Sequence, residues 1–231
     1  MKSLIRSALA MALVLMSVGV VAAGQNAKFR AVHLSPDAPT VDIVVNDVLR
    51  PFEDVSFGDV SEYATVPANL YNVKVTPAGA PAESAVLDGP VNLFYGEQYT
   101  VVALDTLENI KPLVLVDDNS PLFFRQSRVR FVHASPNAPR VDIKVADGPF
   151  LFQDVGFTEV GDYIVIPDGF YDLEVRVAGT DTVALELPAV LLRKGRTYTV
   201  FASGLLGGDP ALGVVLSEDS RTNGYSFFNR R

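Results

Sequence analysis

The 231-residue sequence holds two histidines and no cysteine, and both histidines sit in one repeated string. His33 lies in Arg30-Ala31-Val32-His33-Leu34-Ser35-Pro36-Asp37-Ala38-Pro39, and His133 lies in Arg130-Phe131-Val132-His133-Ala134-Ser135-Pro136-Asn137-Ala138-Pro139. In each string a histidine ends an apolar run and meets a Ser-Pro turn, where proline removes amide donors and serine or aspartate can bond nearby backbone. Val41-Asp42-Ile43 and Val141-Asp142-Ile143 follow in step. If the flanking strands pair as a hairpin with Val32, Leu34, Val41, Ile43 and Val45 on one face, His33 falls opposite Asp42 and His133 opposite Asp142.

Three kinds of chemistry fit these residues. In the first, aspartate orients the imidazole and the imidazole bonds the turn, so that His33, Ser35, Asp37, Asp42, His133, Ser135 and Asp142 form structural clasps. In the second, His33, Asp37 and Asp42 hold a divalent cation, but Asn137 stands at the matching place in the other copy and no further histidine is near. In the third, His33 is a base and Ser35 a nucleophile, yet no glycine-flanked serine or oxyanion loop accompanies them. The clasp accounts for the duplication most simply. On this reading no catalytic residue, metal or cofactor is expected.

Other polar residues read as ordinary structure. Asp117-Asp118 and Glu218-Asp219 match across the repeat, as do Arg30 and Arg130. The carboxylates are expected on solvated surface, since no Asp-x-Asp-x-Asp-Gly calcium loop is present. Each arginine is expected to bridge a duplicated aspartate at a buried edge. Tyr71 and Tyr171 follow Pro67 and Pro167 as in the corner of immunoglobulin-like sandwiches, where the hydroxyl bonds upstream backbone. Gly204-Leu205-Leu206-Gly207-Gly208 lacks the ending of a phosphate loop and reads as a turn.

The elements around these residues repeat with a period of one hundred. Phe52, Asp54, Val55, Phe57, Val60, Tyr63, Pro67, Tyr71 and Val75 each meet an identical residue 100 positions on, and a one-residue deletion then sets Gly96, Tyr99, Thr100 and Val101 against Gly195, Tyr198, Thr199 and Val200. A period this long marks a duplicated domain. Within each copy the apolar period is two, as in Val41, Ile43 and Val45, and proline and glycine punctuate runs such as 71–76, 99–104 and 113–116. These signs predict an all-β fold of two tandem immunoglobulin-like antiparallel β-sandwiches, over 28–120 and 128–220, with a turn of helix at 105–111. The connection 121–127 contains Leu122-Phe123-Phe124, apolar enough to be expected at a domain interface. Residues 221–231 form a tail.

The first 23 residues carry Lys2 and Arg6, then an apolar stretch to Val21, then small residues, which is a secretory signal with cleavage expected after Ala23 or, second, after Ala27. Removing two basic residues makes the exported chain more acidic than the formal −8 of the whole sequence. That balance disfavours nucleic-acid partners, and no later apolar run is long enough for a stable membrane span. Without cysteine the exported chain relies on packing for stability.

The string Arg-x-x-His-x-Ser-Pro-Asp-Ala-Pro-x-Val-Asp, followed by Phe-x-Asp-Val-x-Phe-x-x-Val-x-x-Tyr, resembles an exported bacterial family known only as a domain of unknown function and often found in tandem. Both copies match, with departures at Asn137 and Arg140, where the first has Asp37 and Thr40. The resemblance implies a secreted β-sandwich and no established activity. Together these readings lead to an exported, non-enzymatic binding or structural module of the cell envelope or extracellular space, with an envelope polysaccharide or protein as partner. The rival readings are a hydrolase with its site at the His-Ser-Pro turn or between the repeats, and a weak calcium-dependent adhesion module. Tandem copies favour binding, because linked modules gain effective concentration.

Overall fold

The computed structural model describes residues 25–219 and 227–228; the expected signal segment and most of the tail lie outside the described residues. The chain forms β1 (Asn26–Leu34), β2 (Val41–Val45), β3 (Leu49–Val55), β4 (Ala64–Pro67), β5 (Asn69–Pro77), β6 (Leu87–Leu93), β7 (Gln98–Leu104) and β8 (Lys111–Val116) in the first copy. The second copy contributes β9 (Gln126–His133), β10 (Val141–Val145), β11 (Phe150–Val155), β12 (Ile164–Pro167), β13 (Gly169–Val177), β14 (Val183–Leu192), β15 (Thr197–Ser203) and β16 (Gly213–Glu218), and β17 (Phe227–Phe228) follows. The expected helical turn is a 3₁₀ turn at Leu107–Asn109.

Each copy is a sandwich of two sheets. The first pairs a sheet ordered β4-β1-β7-β8 with one ordered β3-β2-β5-β6, and the second pairs β12-β9-β15-β16-β17 with β11-β10-β13-β14. The all-β, tandem-sandwich expectation is met. One pairing departs from a purely antiparallel plan, because β1 runs parallel to β7 and β9 parallel to β15. A parallel pair needs a crossover, and here the crossover contains all four strands of the partner sheet together with β4, or β12 in the second copy.

This topology revises the hairpin expectation. The Ser-Pro turn carries the chain from β1 in one sheet to β2 in the other, so His33 faces Ala103 on β7 while Asp42 faces Thr76 on β5. His133 and Asp142 are separated in the same way.

The burial of β1 shows why its sequence does not alternate cleanly between polar and apolar. Phe29 and Ala31 enter the core of the first sandwich, while Val32 and Leu34, on the opposite face, enter a third core shared by both copies. That shared core joins Val32, Leu34, Leu104 and Leu115 to Val132, Phe201 and Val215. Strands β1 and β9 are therefore buried on both faces, as strands with unbroken apolar runs require, and the sandwiches stack through the sheets that contain them.

At one end of this shared core lies a reciprocal charge network. Arg30 donates to Asp219 of the other copy, and Arg130 donates to Asp117. The second oxygen of Asp117 accepts from Tyr63 and Thr100, both at 2.6 Å, while that of Asp219 accepts from Tyr163 at 2.9 Å and Thr199 at 2.6 Å. Arg30 also donates to Thr100 at 2.9 Å and lies 4.7 Å from the centre of the Tyr63 ring. Arg130 repeats this with Thr199 at 2.8 Å and Tyr163 at 4.6 Å. Both arginines and both aspartates are buried. The arginine–aspartate bridge expected from sequence exists, but across the copies, and the expectation that Asp117, Glu218 and Asp219 are surface residues is corrected: all three are buried, and Asp118 alone of the four is exposed. The counterpart of Asp117 is Asp219, since the amide of each bonds the start of the central strand, at Gln98 and Thr197.

Burial opposes the charge on Arg30, but Asp219, Tyr63 and Asp117 hold its guanidinium protonated. Burial and the Asp219 carboxylate push the Asp117 carboxyl up, against the pull of Arg130 and Arg30. The connection between the copies corrects a further expectation: Phe123 and Phe124 are exposed and Lys194 lies over the Phe124 ring at 5.8 Å, so the domain contact is made by the central sheets instead.

The two cores of the sandwiches are unequally filled. The first contains a cavity of about 160 Å³, the second one of about 10 Å³. A void of the larger size costs on the order of 4 kcal/mol at the usual penalty per unit volume.

Removing one member of the buried network should be severe, because its partner is left charged and unpaired. Arg130→Ala is expected to lower unfolding stability by about 3–5 kcal/mol. Denaturant unfolding checks this, and a loss below about 1 kcal/mol, the scale of an exposed pair, would contradict the role given to the network.

Candidate functional site

The His-Ser-Pro turns are clasps whose side chains are committed to backbone. His33 Nε2 lies 3.0 Å from the Pro39 carbonyl, and Nδ1 accepts from the Ser35 amide at 3.3 Å. A carbonyl only accepts, so Nε2 carries the proton and the ring is the neutral tautomer. His133 repeats the first bond to Pro139 at 2.9 Å, and its Nδ1 is buried without a bonding partner. Burial pushes both imidazoles below the usual histidine value, against the pull of the proline carbonyls. The ring thus spans the turn that comes after it and fixes where the chain crosses between sheets.

Ser35 and Ser135 are fully buried. The Ser135 hydroxyl donates to the Gly204 carbonyl at 2.7 Å, whereas that of Ser35 has no bonding partner. What reaches His33 from Ser35 is the amide and not the hydroxyl, so the nucleophile–base geometry of a hydrolase is not formed there.

Asp37 and Asn137 do the same work. Asp37 accepts from the Leu107 amide at 2.6 Å, and Asn137 accepts from the Leu206 amide at 2.7 Å while donating to the Leu206 carbonyl at 3.1 Å. Each pins the loop that follows the central parallel strand, which explains why an amide can replace the carboxylate.

Asp42 and Asp142 stitch two turns of the outer sheet. Asp42 accepts from the amides of Asp54 and Gly79, each at 2.9 Å, and from Arg50 at 2.8 Å. Asp142 accepts from the amides of Asp154 at 2.7 Å and Gly179 at 3.0 Å. Asp54 and Asp154 have φ of 54° and 52°, the left-handed conformation of a bulged strand. Burial acts to raise the Asp42 carboxyl, but the Asp54 and Gly79 amides and Arg50 hold it below the usual carboxylate range. His33, Asp37 and Asp42 thus point to three separate backbone sites. Among the described residues no group of three or more such side chains could hold a metal ion.

The tyrosine corners form as the sequence implied: the hydroxyls of Tyr71 and Tyr171 donate to the carbonyls of Pro67 and Pro167, both at 2.7 Å. Sequence reasoning missed the polar role of Tyr63, Thr100, Tyr163 and Thr199. The signal was present, since all four lie in the matched positions of the repeat.

One end of the molecule carries several exposed aromatic side chains. Lys111 lies 4.8 Å from the Phe157 ring, which brings the His-turn ends of both copies together. The starts of β1 and β9 therefore share the opposite end, where Phe94, Tyr95, Phe123, Phe124 and Phe170 are exposed, Phe123 and Phe124 by 84% and 82%.

A tandem pair of β-sandwiches, fused through their central sheets by a shared core and a reciprocal ion network, is the class that these features define. The chain belongs to the family described as a domain of unknown function, DUF4397, whose profile matches twice, over residues 27–144 and 127–225. No curated protein sequence matches significantly. Among solved structures the chain is similar to the Bacillus anthracis TIE protein, with 11% identity and a TM-score of 0.23, over 78% of this chain and 33% of that one. The chain thus spans about a third of that protein's length.

The clasps give a signed pH dependence. Because each folded imidazole titrates below the ordinary value of about 6.5, the unfolded chain binds protons first, and stability falls as pH drops below that value. Asp42, held low, adds stability above its unfolded value that is lost only as pH falls further, through its folded value. His33→Ala should cost about 1–3 kcal/mol by stranding the Pro39 carbonyl. The double variant with His133→Ala should flatten the stability profile just below pH 6.5. Melting curves across pH check both, and an unchanged profile in the double variant would contradict the clasp.

Proposed function

We propose that the protein is an exported, non-catalytic binding module of the cell envelope or extracellular space, taking an envelope polysaccharide or protein as its ligand. The observation that carries this reading is the set of exposed aromatic side chains at the end of the molecule opposite the His turns. Exposed apolar patches rimmed by polar residues mark interaction surfaces, and aromatic faces suit both sugar rings and protein side chains. The residues with chemical potential, by contrast, are spent within the fold. Two further features support the reading. A shared core and reciprocal ion pairs join the two sandwiches that carry these aromatics, and Ala27 is buried within β1, so cleavage after Ala23 leaves that strand whole.

The test is a screen of the mature chain against glycan arrays and purified envelope fractions. A saturable ligand is expected, with binding at least tenfold weaker in a Phe123→Ser, Phe124→Ser, Phe170→Ser variant of unchanged melting temperature. Binding unaffected by these substitutions would remove the aromatic end from the site. Turnover of the bound ligand would move the protein to the hydrolases.

A further inference from the structure

The duplication supplies an internal control for the cavity in the first sandwich. Both copies build the same two sheets, yet only one core is hollow. The difference lies at three inward-facing positions. Phe131 stands where the first copy has Ala31, Leu173 where it has Val73, and Leu187, paired with Leu173, where Gly89 pairs with Val73. Phe29, two residues before Ala31, packs its ring against Phe52 at 5.2 Å but does not fill the space. A side chain begun at Gly89 would meet nothing within 4 Å. The fold therefore closes this void with ordinary residues in one copy and leaves it open in the other.

The void also has an entrance. Its lining includes Asp88, Gly89 and Pro90 of β6 and Pro112 and Val114 of β8, the edge strands of the two sheets on one side of the sandwich. In the second copy the strand matching β8 is continued by β17, so that edge is paired. Polar groups at the cavity are already occupied. His33 is engaged by Pro39 and Ser35, and Asp88 lies 3.5 Å from Lys74. No unpaired charge waits for a charged guest, and a lining of this apolar character stays dry when empty.

From this contrast we infer that the first sandwich is a binding site for a small uncharged apolar molecule or group, a single ring or short alkyl chain of about benzene size, entering between β6 and β8, and that the second sandwich is its filled, structural counterpart. Apolar interior voids of about this volume take benzene. The site is independent of the aromatic end and of any envelope ligand.

Benzene and 1-hexanol are the probes, applied to the mature chain and read by calorimetry and melting temperature. Wild type should bind benzene saturably at one site per chain and melt at higher temperature with it, as a ligand of the native state requires. Ala31→Phe, which installs the second copy's residue, should weaken that binding at least tenfold. Gly89→Leu should do the same from the opposite sheet and serves if Ala31→Phe does not fold. Phe131→Ala should add a second site. Absence of saturable binding to wild type, or equal binding by a folded Ala31→Phe or Gly89→Leu variant, would overturn the inference. Envelope binding measured on the same variants should be unchanged, so failure at one site is distinguishable from failure at the other.

Discussion

The exchange of arginine–aspartate pairs between copies is the constraint on which the rest of the structure depends. Arg30 and Arg130 sit on central strands buried on both faces, where an unpaired guanidinium could not be sustained. Each finds its carboxylate only in the other copy, while Tyr63 and Thr100, or Tyr163 and Thr199, hold that carboxylate in place from its own side. Neither sandwich can satisfy its own charges. The shared apolar core supplies most of the contact, and the network sets which way the two sheets face each other, because apolar packing alone has little directional preference.

The His-Ser-Pro turn solves a different problem, that of crossing between sheets without leaving polar backbone bare. Proline residues lower the number of amides to be satisfied, the imidazole bonds a carbonyl of the turn itself, and Asp37 or Asn137 and Asp42 or Asp142 reach out from it to amides of neighbouring loops. A motif that looks catalytic in one dimension is therefore a set of backbone partners in three. Its histidine and aspartate or asparagine side chains tie the crossing and the loops around it together.

Strand positions were legible in the sequence because period-two apolar residues and the hundred-residue repeat are local signals. Val41–Val45 reads as a strand and is one, and the arginines read as partners of a repeated aspartate and are so. Which aspartate, and on which side of the molecule, was not legible, because the exchange between copies depends on how two sheets stack. The His33–Asp42 opposition failed for a related reason: alternation fixes the face of a residue within its sheet, but not whether the next strand joins that sheet or the facing one. The cavity was half visible, since Ala31 against Phe131 is a change of volume in an otherwise matched string, but Phe29 against Val129 offsets it on paper. Only the packing shows that the two rings occupy different space.

The reciprocal contacts have the form of an isologous dimer interface, in which the same patch on two subunits meets itself. Here both patches lie on one polypeptide. Association is intramolecular, so the paired state does not weaken on dilution as a dimer does. The covalent union also lifts a restriction that symmetry would impose. In a homodimer a substitution that opens one core opens both, and the stability penalty is incurred twice. In this chain Ala31 and Phe131 can differ, so one half can hold an open interior while its neighbour, sharing the central core, remains solid.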